Sequence, residues 1–239
     1  MPEEINRLVT DSISDWFFVT EPAGRANLLR EGKREDQVFF VGHVMVDNLF
    51  YQRDQLAAAD KSSFESESLK QRLGRYGVVT MHRPSNVDDR ATLSGIAGAL
   101  REIAAKLPLV FPVHPRTRGN LDKFGLDLGP NVILTKPLSY MDFLNLWKDA
   151  SLILTDSGGL QEETTALGIP CVTLRENTER PVTVDEGTNT IVGVDPAKIV
   201  AAADAVLAGQ GKTGRRPQFW DGKAAERIVE ALARELARS

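Results

Sequence analysis

Cysteine is nearly missing from this chain: Cys171 is the only one in 239 residues. A single thiol excludes an internal disulfide and a cysteine-built metal cluster, and such usage fits a reducing cytoplasm. Positive charge is not in excess either. Lys+Arg 29 against Asp+Glu 33 leaves a formal net charge of −4, whereas a nucleic-acid partner favours a concentrated basic surface. The short cluster Arg215-Arg216 reads as solvated. No apolar run approaches the roughly 20 residues that cross a bilayer. The opening MPEEINRLVTD is acidic and unlike a secretory signal. Internal repeats and low-complexity tracts are also absent. These absences predict a cytoplasmic protein with neither nucleic acid nor membrane as partner.

What is present is an alternation of short apolar runs with amphipathic helices. Hydrophobic residues make up 42% and charged ones 26%, an ordinary globular balance, in a chain long enough for one large or two small domains. The opening residues fall directly into a helical pattern carried by Ile5, Leu8, Val9 and Ile13. Strands are expected at 16–19, 38–41, 78–80, 109–113, 132–134, 152–155, 171–174 and 190–192. Helices are expected at about 23–30, 46–59, 91–106, 117–123, 140–147, 160–167, 196–208 and 222–238. The helix at 196–208 has Asp195 as its cap, Pro196 in its first turn and Gly209 at its end. The polar stretch 60–70 (DKSSFESESLK) reads as a linker. Four- or five-residue apolar strands separated by helices imply an α/β fold, a Rossmann-like parallel sheet with helices on both faces.

One run carries the chemistry: Thr155-Asp156-Ser157-Gly158-Gly159-Leu160-Gln161-Glu162-Glu163. A strand that ends in Ser-Gly-Gly and opens a helix leaves unpaired backbone N–H groups aimed at one spot, and the glycines let an anion come close. The helix dipole adds about 0.3–1 kcal/mol of preference for negative charge. The plain alternative is an ordinary strand-to-helix turn.

In a parallel sheet, ligands sit beyond the carboxyl ends of the strands. Those ends carry Met81-His82-Arg83-Pro84, His114-Pro115-Arg116, the Ser-Gly-Gly turn, and the run from Arg175 to Pro181. Two of the three histidines and several arginines therefore collect beside an anion-binding helix end. Histidine changes charge near neutral pH and arginine suits phosphate oxygens. Singly, each has a structural reading; together they predict a site for a phosphorylated ligand. Glu162 and Glu163 repel phosphate and so suit sugar hydroxyls, which points to a nucleotide sugar or a ribose. His43 has no identifiable partner and reads as structural.

Taken with Glu3-Glu4-Ile5-Asn6-Arg7, Thr80-Met81-His82-Arg83, Pro112-Val113-His114-Pro115 and Glu186-Gly187-Thr188, these motifs resemble the bacterial non-hydrolysing UDP-N-acetylglucosamine 2-epimerases over essentially the whole chain. The DSGG-x-QEE and R-x-x-TERP pair is the specific part. The resemblance implies the carboxy-terminal half of a GT-B-type two-domain architecture. Residues 1–60 would be a remnant of the amino-terminal Rossmann-like domain and the interdomain connection. Residues 61–217 would be the UDP-binding domain, and 218–239 a carboxy-terminal helix. It implies interconversion of UDP-N-acetylglucosamine and UDP-N-acetylmannosamine by elimination and re-addition of UDP through a 2-acetamidoglucal.

By the same resemblance Ser157, Gly158 and Gly159 hold the diphosphate and Glu163 the ribose. Arg180 and His82 lie beside the phosphates and the reacting sugar, with Arg83 and His114 as further substrate contacts. Glu3 and Arg7 reach the sugar, Glu3 as a candidate acid/base. No metal or other cofactor is required. The partners implied are the UDP-sugar substrate and either a second copy in a homodimer or a complementary amino-terminal half.

The pattern also departs from the family. A Gly-Thr-Arg-Pro-Glu loop and a His-Val-Glu-Ala-Gly strand end, expected ahead of the Glu-Glu-x-Asn-Arg helix, are not in the sequence. The chain therefore reads as a carboxy-terminal portion, expected to bind UDP but to exchange little deuterium into the substrate by itself. Pro84-Ser85-Asn86 stands where members regulated by a second substrate molecule usually carry Arg-Glu-Asn, which counts against allosteric activation. Val182 replaces the commoner glutamate. The competing readings are a noncatalytic nucleotide-sugar-binding half of a split enzyme, and a GT-B glycosyltransferase or hydrolysing epimerase.

Overall fold

The computed structural model describes the backbone of residues 2–237 and the side chains of residues 4–237. The chain divides into two units, Met1–Tyr51 with Pro217–Ser239, and Gln52–Arg216. In the first unit, α1 (Pro2–Ser12), β1 (Phe17–Val19), α2 (Pro22–Arg30), β2 (Val38–Phe40) and α3 (Val44–Ala58) follow in order, α3 continuing past the boundary. Pro22 starts α2, where its missing N–H costs nothing. Strands β1 and β2 pair in parallel, Phe17 opposite Val38, and Phe17, Val19, Leu28 and Val38 form a small core.

The second unit begins with α4 (Glu65–Leu73), where the polarity of 60–70 suggests a linker. Tertiary partners override that composition. Asp142 accepts from the N–H groups of Glu65 and Ser66 at 3.1 and 3.0 Å, Asn145 donates to Ser66 Oγ at 2.9 Å, and Leu69 is buried. The unit continues through β3 (Gly77–Thr80), α5 (Pro84–Val87), α6 (Arg90–Ala104), β4 (Leu109–Pro112), α7 (Pro115–Phe124), β5 (Val132–Thr135) and α8 (Tyr140–Trp147). It closes with β6 (Leu152–Thr155), α9 (Gly158–Leu167), β7 (Cys171–Thr173), α10 (Pro181–Asp185), β8 (Asn189–Ile191) and α11 (Pro196–Leu207). The short helices α5 and α10 are absent from the sequence-based reading. Each follows an Arg-Pro step, the proline supplying the first helical position.

The six strands are parallel in the order β5-β4-β3-β6-β7-β8. The expected Rossmann-like sheet flanked by helices is therefore what the chain forms. The chain starts in the middle at β3, builds outward to β5, then returns to lay β6 on the other side of β3. That return is the topological switch point, where doubly wound sheets open a ligand crevice. Burial on both faces explains the unbroken apolar strands: Val78, Val79, Leu152, Ile153 and Leu154 have no exposed surface.

Helices α6 and α11 pack with each other, bringing Leu93, Ile96, Leu100 and Ile103 into one core with Ile199 and Ala203. Each such aliphatic side chain contributes about 1.5–3 kcal/mol on burial. The Asp195 cap is formed, its carboxylate accepting from Ala197 N–H at 2.9 Å. After this unit the chain returns to the first with α12 (Ala224–Leu236). There His43 is buried edge-on against Trp220, and its Nδ1 accepts from Met45 N–H. Gly42 follows β2 at φ +92, and a side chain on it would strike the Phe219 backbone. No described helix is long and apolar enough to cross a membrane.

Candidate active site

The switch point places the ends of β3 and β6 side by side, with Thr80 opposite Thr155. Just beyond them stand His82 and Arg83 on one strand, and Asp156 and the Ser157-Gly158-Gly159 turn on the other. Thr155 Oγ1 accepts from Ser157 N–H at 2.9 Å, shaping the turn, and Gln161 Nε2 donates to Ser157 O at 3.1 Å. Ser157 is the N-cap of α9, but its hydroxyl makes no capping bond. A Cβ built on either Gly158 or Gly159 meets nothing within 4 Å, and neither has a positive φ. The fold therefore does not itself require glycine at these positions. They leave open space at a helix start whose first N–H groups lack intrahelical partners.

Asp156 is wholly buried and holds the two strand ends together. Its carboxylate accepts from His82 N–H at 3.0 and 3.1 Å, Arg83 N–H at 2.8 Å and Asn86 Nδ2 at 3.2 Å. His82 Nδ1 lies 3.1 Å from Asp156 Oδ1. The hydrogen bond to Asp156 raises the histidine pKa above its ordinary value, against the opposing effects of burial and Arg83. Arg83 turns its Nε to the Asp156 carbonyl at 3.2 Å. Asp156 lies inside the glycine motif yet draws no separate role from the sequence. Its position directly after a central strand, facing the end of the neighbouring strand, is the signal that identifies it.

His82 and His114 line one cavity of about 180 Å³ with Thr80, Pro112, Pro137, Leu138 and Phe143. His114 also caps α7, its Nδ1 accepting from Arg116 N–H at 3.3 Å. Arg180 Nε lies 2.5 Å from Glu162 Oε1, so its charge is balanced on the first turns of α9. Glu163 is half-buried beside Tyr140, whose hydroxyl donates to Glu163 Oε1 at 3.2 Å. Burial pushes the Glu163 carboxyl up to about 7, partly opposed by that hydrogen bond and reinforced by Glu162.

A buried polar network ties the two specific motifs together. Gln161 Oε1 accepts from Thr178 Oγ1 at 2.7 Å and from Asn189 Nδ2 at 3.1 Å. Asn189 Nδ2 also donates to Thr183 Oγ1, and its Oδ1 accepts from Thr173 Oγ1. Thr178 Oγ1 in turn accepts from Arg180 N–H at 3.0 Å. The loop before α10 is thus fixed to the helix that starts at the glycine turn. Arg175 pairs with Glu179 at 2.6 Å and holds that carboxyl down to about 2.

Seven predicted site residues, His82, Arg83, His114, Ser157, Gly158, Gly159 and Glu163, lie along the β3, β4 and β6 ends or on α8-facing α9, and Arg180 joins them through Glu162. Glu3 and Arg7 belong to α1 of the first unit. The Glu3 side chain lies outside the described residues. Arg7 pairs with Glu4 and Asp11 at 2.6 Å and with Glu31 at 2.8 Å. These residues border a cavity of about 620 Å³ in the first unit. Three carboxylates around one arginine disfavour a phosphate there. No described group of three or more His, Cys, Asp or Glu is arranged to hold a metal ion.

The family model for UDP-N-acetylglucosamine 2-epimerase matches residues 1–233. The chain belongs to the UDP-N-acetylglucosamine 2-epimerase family. A family relative from Methanocaldococcus jannaschii, named UDP-N-acetylglucosamine 2-epimerase, is 39% identical over 97% of this chain and 64% of its own length. One from Pseudomonas aeruginosa, named UDP-2,3-diacetamido-2,3-dideoxy-D-glucuronate 2-epimerase, is 37% identical over 98% of this chain and again 64% of its own. The chain therefore spans just under two thirds of these relatives. The crystal structure of the M. jannaschii UDP-GlcNAc 2-epimerase in complex with UDP-GlcNAc and UDP superposes with a TM-score of 0.83 at 37% identity, covering 98% of this chain and 65% of that one. The family likeness, first read from motifs, thus extends to a GT-B-type fold.

Proposed function

We propose that the chain supplies the UDP-binding portion of a 2-epimerase that interconverts UDP-N-acetylglucosamine and UDP-N-acetylmannosamine. The observation that carries the reading is the open glycine turn at the switch point, next to the Asp156–His82 contact and at the head of the helix that carries Glu163 and the Arg180 partner Glu162. In this reading the diphosphate sits on the Ser157–Gly159 turn at the start of α9. Glu163 takes the ribose hydroxyls, and the cavity walled by Phe143 and the two prolines offers apolar surface beside it. Arg180 exchanges its contact with Glu162 for the phosphates. His82 lies nearest the reacting carbon, with Arg83 and His114 flanking it.

The chemistry follows from where charge develops. Breaking the bond from C1 to oxygen leaves UDP with an added negative charge, and the C2 proton departs to a base. The product is an unsaturated 2-acetamidoglucal, and re-addition of UDP returns a proton to the opposite face of C2. Oriented N–H groups and an arginine at the diphosphate favour the transition state over the ground state. A histidine held by a carboxylate serves the proton transfer. The reading needs no metal. The Pseudomonas relative's name carries a different sugar on the same nucleotide, which fits a site whose nucleotide half is shared and whose sugar half varies.

Isothermal titration with UDP tests the proposal directly. Saturable one-to-one binding, displaced by UDP-N-acetylglucosamine, is expected. No heat at millimolar UDP removes the reading.

A further inference from the structure

We infer that Asp156 is the positioning residue for His82, anchoring its imidazole at Nδ1 and so presenting Nε2 as the nitrogen that works on the ligand. Three observations carry this. The carboxylate is completely buried at the switch point, where an unpaired charge would be very costly. It spends its oxygens on the backbone of His82 and Arg83 as well as on the His82 ring, so main chain and side chain are fixed by one group. His82 also lines the cavity shared with His114 and Phe143. Among the described residues no hydrogen bond engages Nε2.

The consequence is a defined tautomer. Neutral His82 keeps its proton on Nδ1, donated to Asp156, and Nε2 has a free lone pair able to take a proton. Once protonated there, the ring is an imidazolium that can return the proton from the same nitrogen. Asn86 makes the arrangement rigid, bridging Asp156 Oδ2 and the Leu174 carbonyl at 3.2 and 2.9 Å. The titratable and charged groups around His82 come from several elements. Arg83 is on its own segment, Asp156 follows β6, His114 heads α7, and Arg175 and Glu179 follow β7 and act on Asp156 and Arg83. Arg83 opposes protonation of His82, whereas Asp156 favours it.

The inference deepens the proposed function, since it takes His82 to be the group beside the reacting sugar, but its test is separate. The chain has three histidines, so a long-range proton–nitrogen spectrum of the whole chain is assignable with His82→Gln. Neutral His82 in the unsubstituted chain is expected in the Nδ1–H form. Asp156→Asn is expected to lower its midpoint by about one pH unit, roughly a tenfold loss of proton affinity. If the variant fails to fold, the tautomer in the unsubstituted chain decides alone. An Nε2–H tautomer, or an unmoved midpoint in a folded variant, overturns the inference. UDP titration of the same unsubstituted sample separates the two ideas: binding with the wrong tautomer refutes only the role of Asp156, whereas the Nδ1–H tautomer without binding refutes only the nucleotide reading.

Discussion

Replacing Glu163 by glutamine should stabilise the folded chain at pH 8 and leave it nearly unchanged at pH 4. Burial raises this carboxyl from its ordinary 4.5 to about 7, while the Tyr140 hydroxyl limits the rise. Between those two values the folded state binds more protons than the unfolded one, so its stability falls as pH rises. At about 1.4 kcal/mol for each pH unit, the interval from 4.5 to about 7 is worth at most about 3.5 kcal/mol. Glu163→Gln removes that penalty. Urea unfolding of both proteins from pH 4 to pH 8.5 gives the difference, in which other titrating groups largely cancel. The advantage of the variant should be near zero below 4.5, grow through 7 and then level off. A difference that is flat with pH, or that shrinks as pH rises, refutes the reasoning. The same substitution should weaken UDP binding by about tenfold or more, since a charge-assisted hydrogen bond is worth about 1.5–3 kcal/mol.

Tyr140→Phe removes the hydroxyl that favours the Glu163 carboxylate, so the chain should lose more stability between pH 5 and pH 8 than the unsubstituted protein does, again by urea unfolding. Gln161→Leu strands the Thr178 hydroxyl and one Asn189 amide hydrogen in a buried site. Unsatisfied buried donors cost about 1–3 kcal/mol, so a loss of about 2 kcal/mol is expected in the denaturation midpoint. A change under about 0.5 kcal/mol, the size of an ordinary surface substitution, contradicts the network's role.

The sheet was legible because its strands are buried on both faces and must read as plain apolar runs, as at 77–80 and 152–155. Helix α4 was not, because Ser66 and Glu65 are ordered by Asp142 and Asn145 from far along the chain, a pairing that local composition does not contain. The strand-to-helix turn was legible from Ser-Gly-Gly alone. Gln161, Thr178 and Asn189 form one cluster only after β7 and β8 are laid beside β6, so the reason that the two specific motifs occur together became visible in the fold. Tyr140 opens the helix expected at 140–147, and its hydroxyl finds a polar task only where α8 meets Glu163. Asp156 sits inside the glycine motif, and its task becomes visible only when the end of β3 lies beside the end of β6.

Whether the glycines of the turn serve a ligand or the fold is tested most directly at Gly158. Because a Cβ at Gly158 has open space and no backbone strain, Gly158→Ala should leave stability unchanged or raised by up to about 1 kcal/mol through helix propensity. Titration of both proteins with UDP is the decisive measurement. The unsubstituted chain is expected to bind, and the equally stable alanine variant to bind at least tenfold more weakly. Equal UDP affinity in the two proteins would contradict the ligand role.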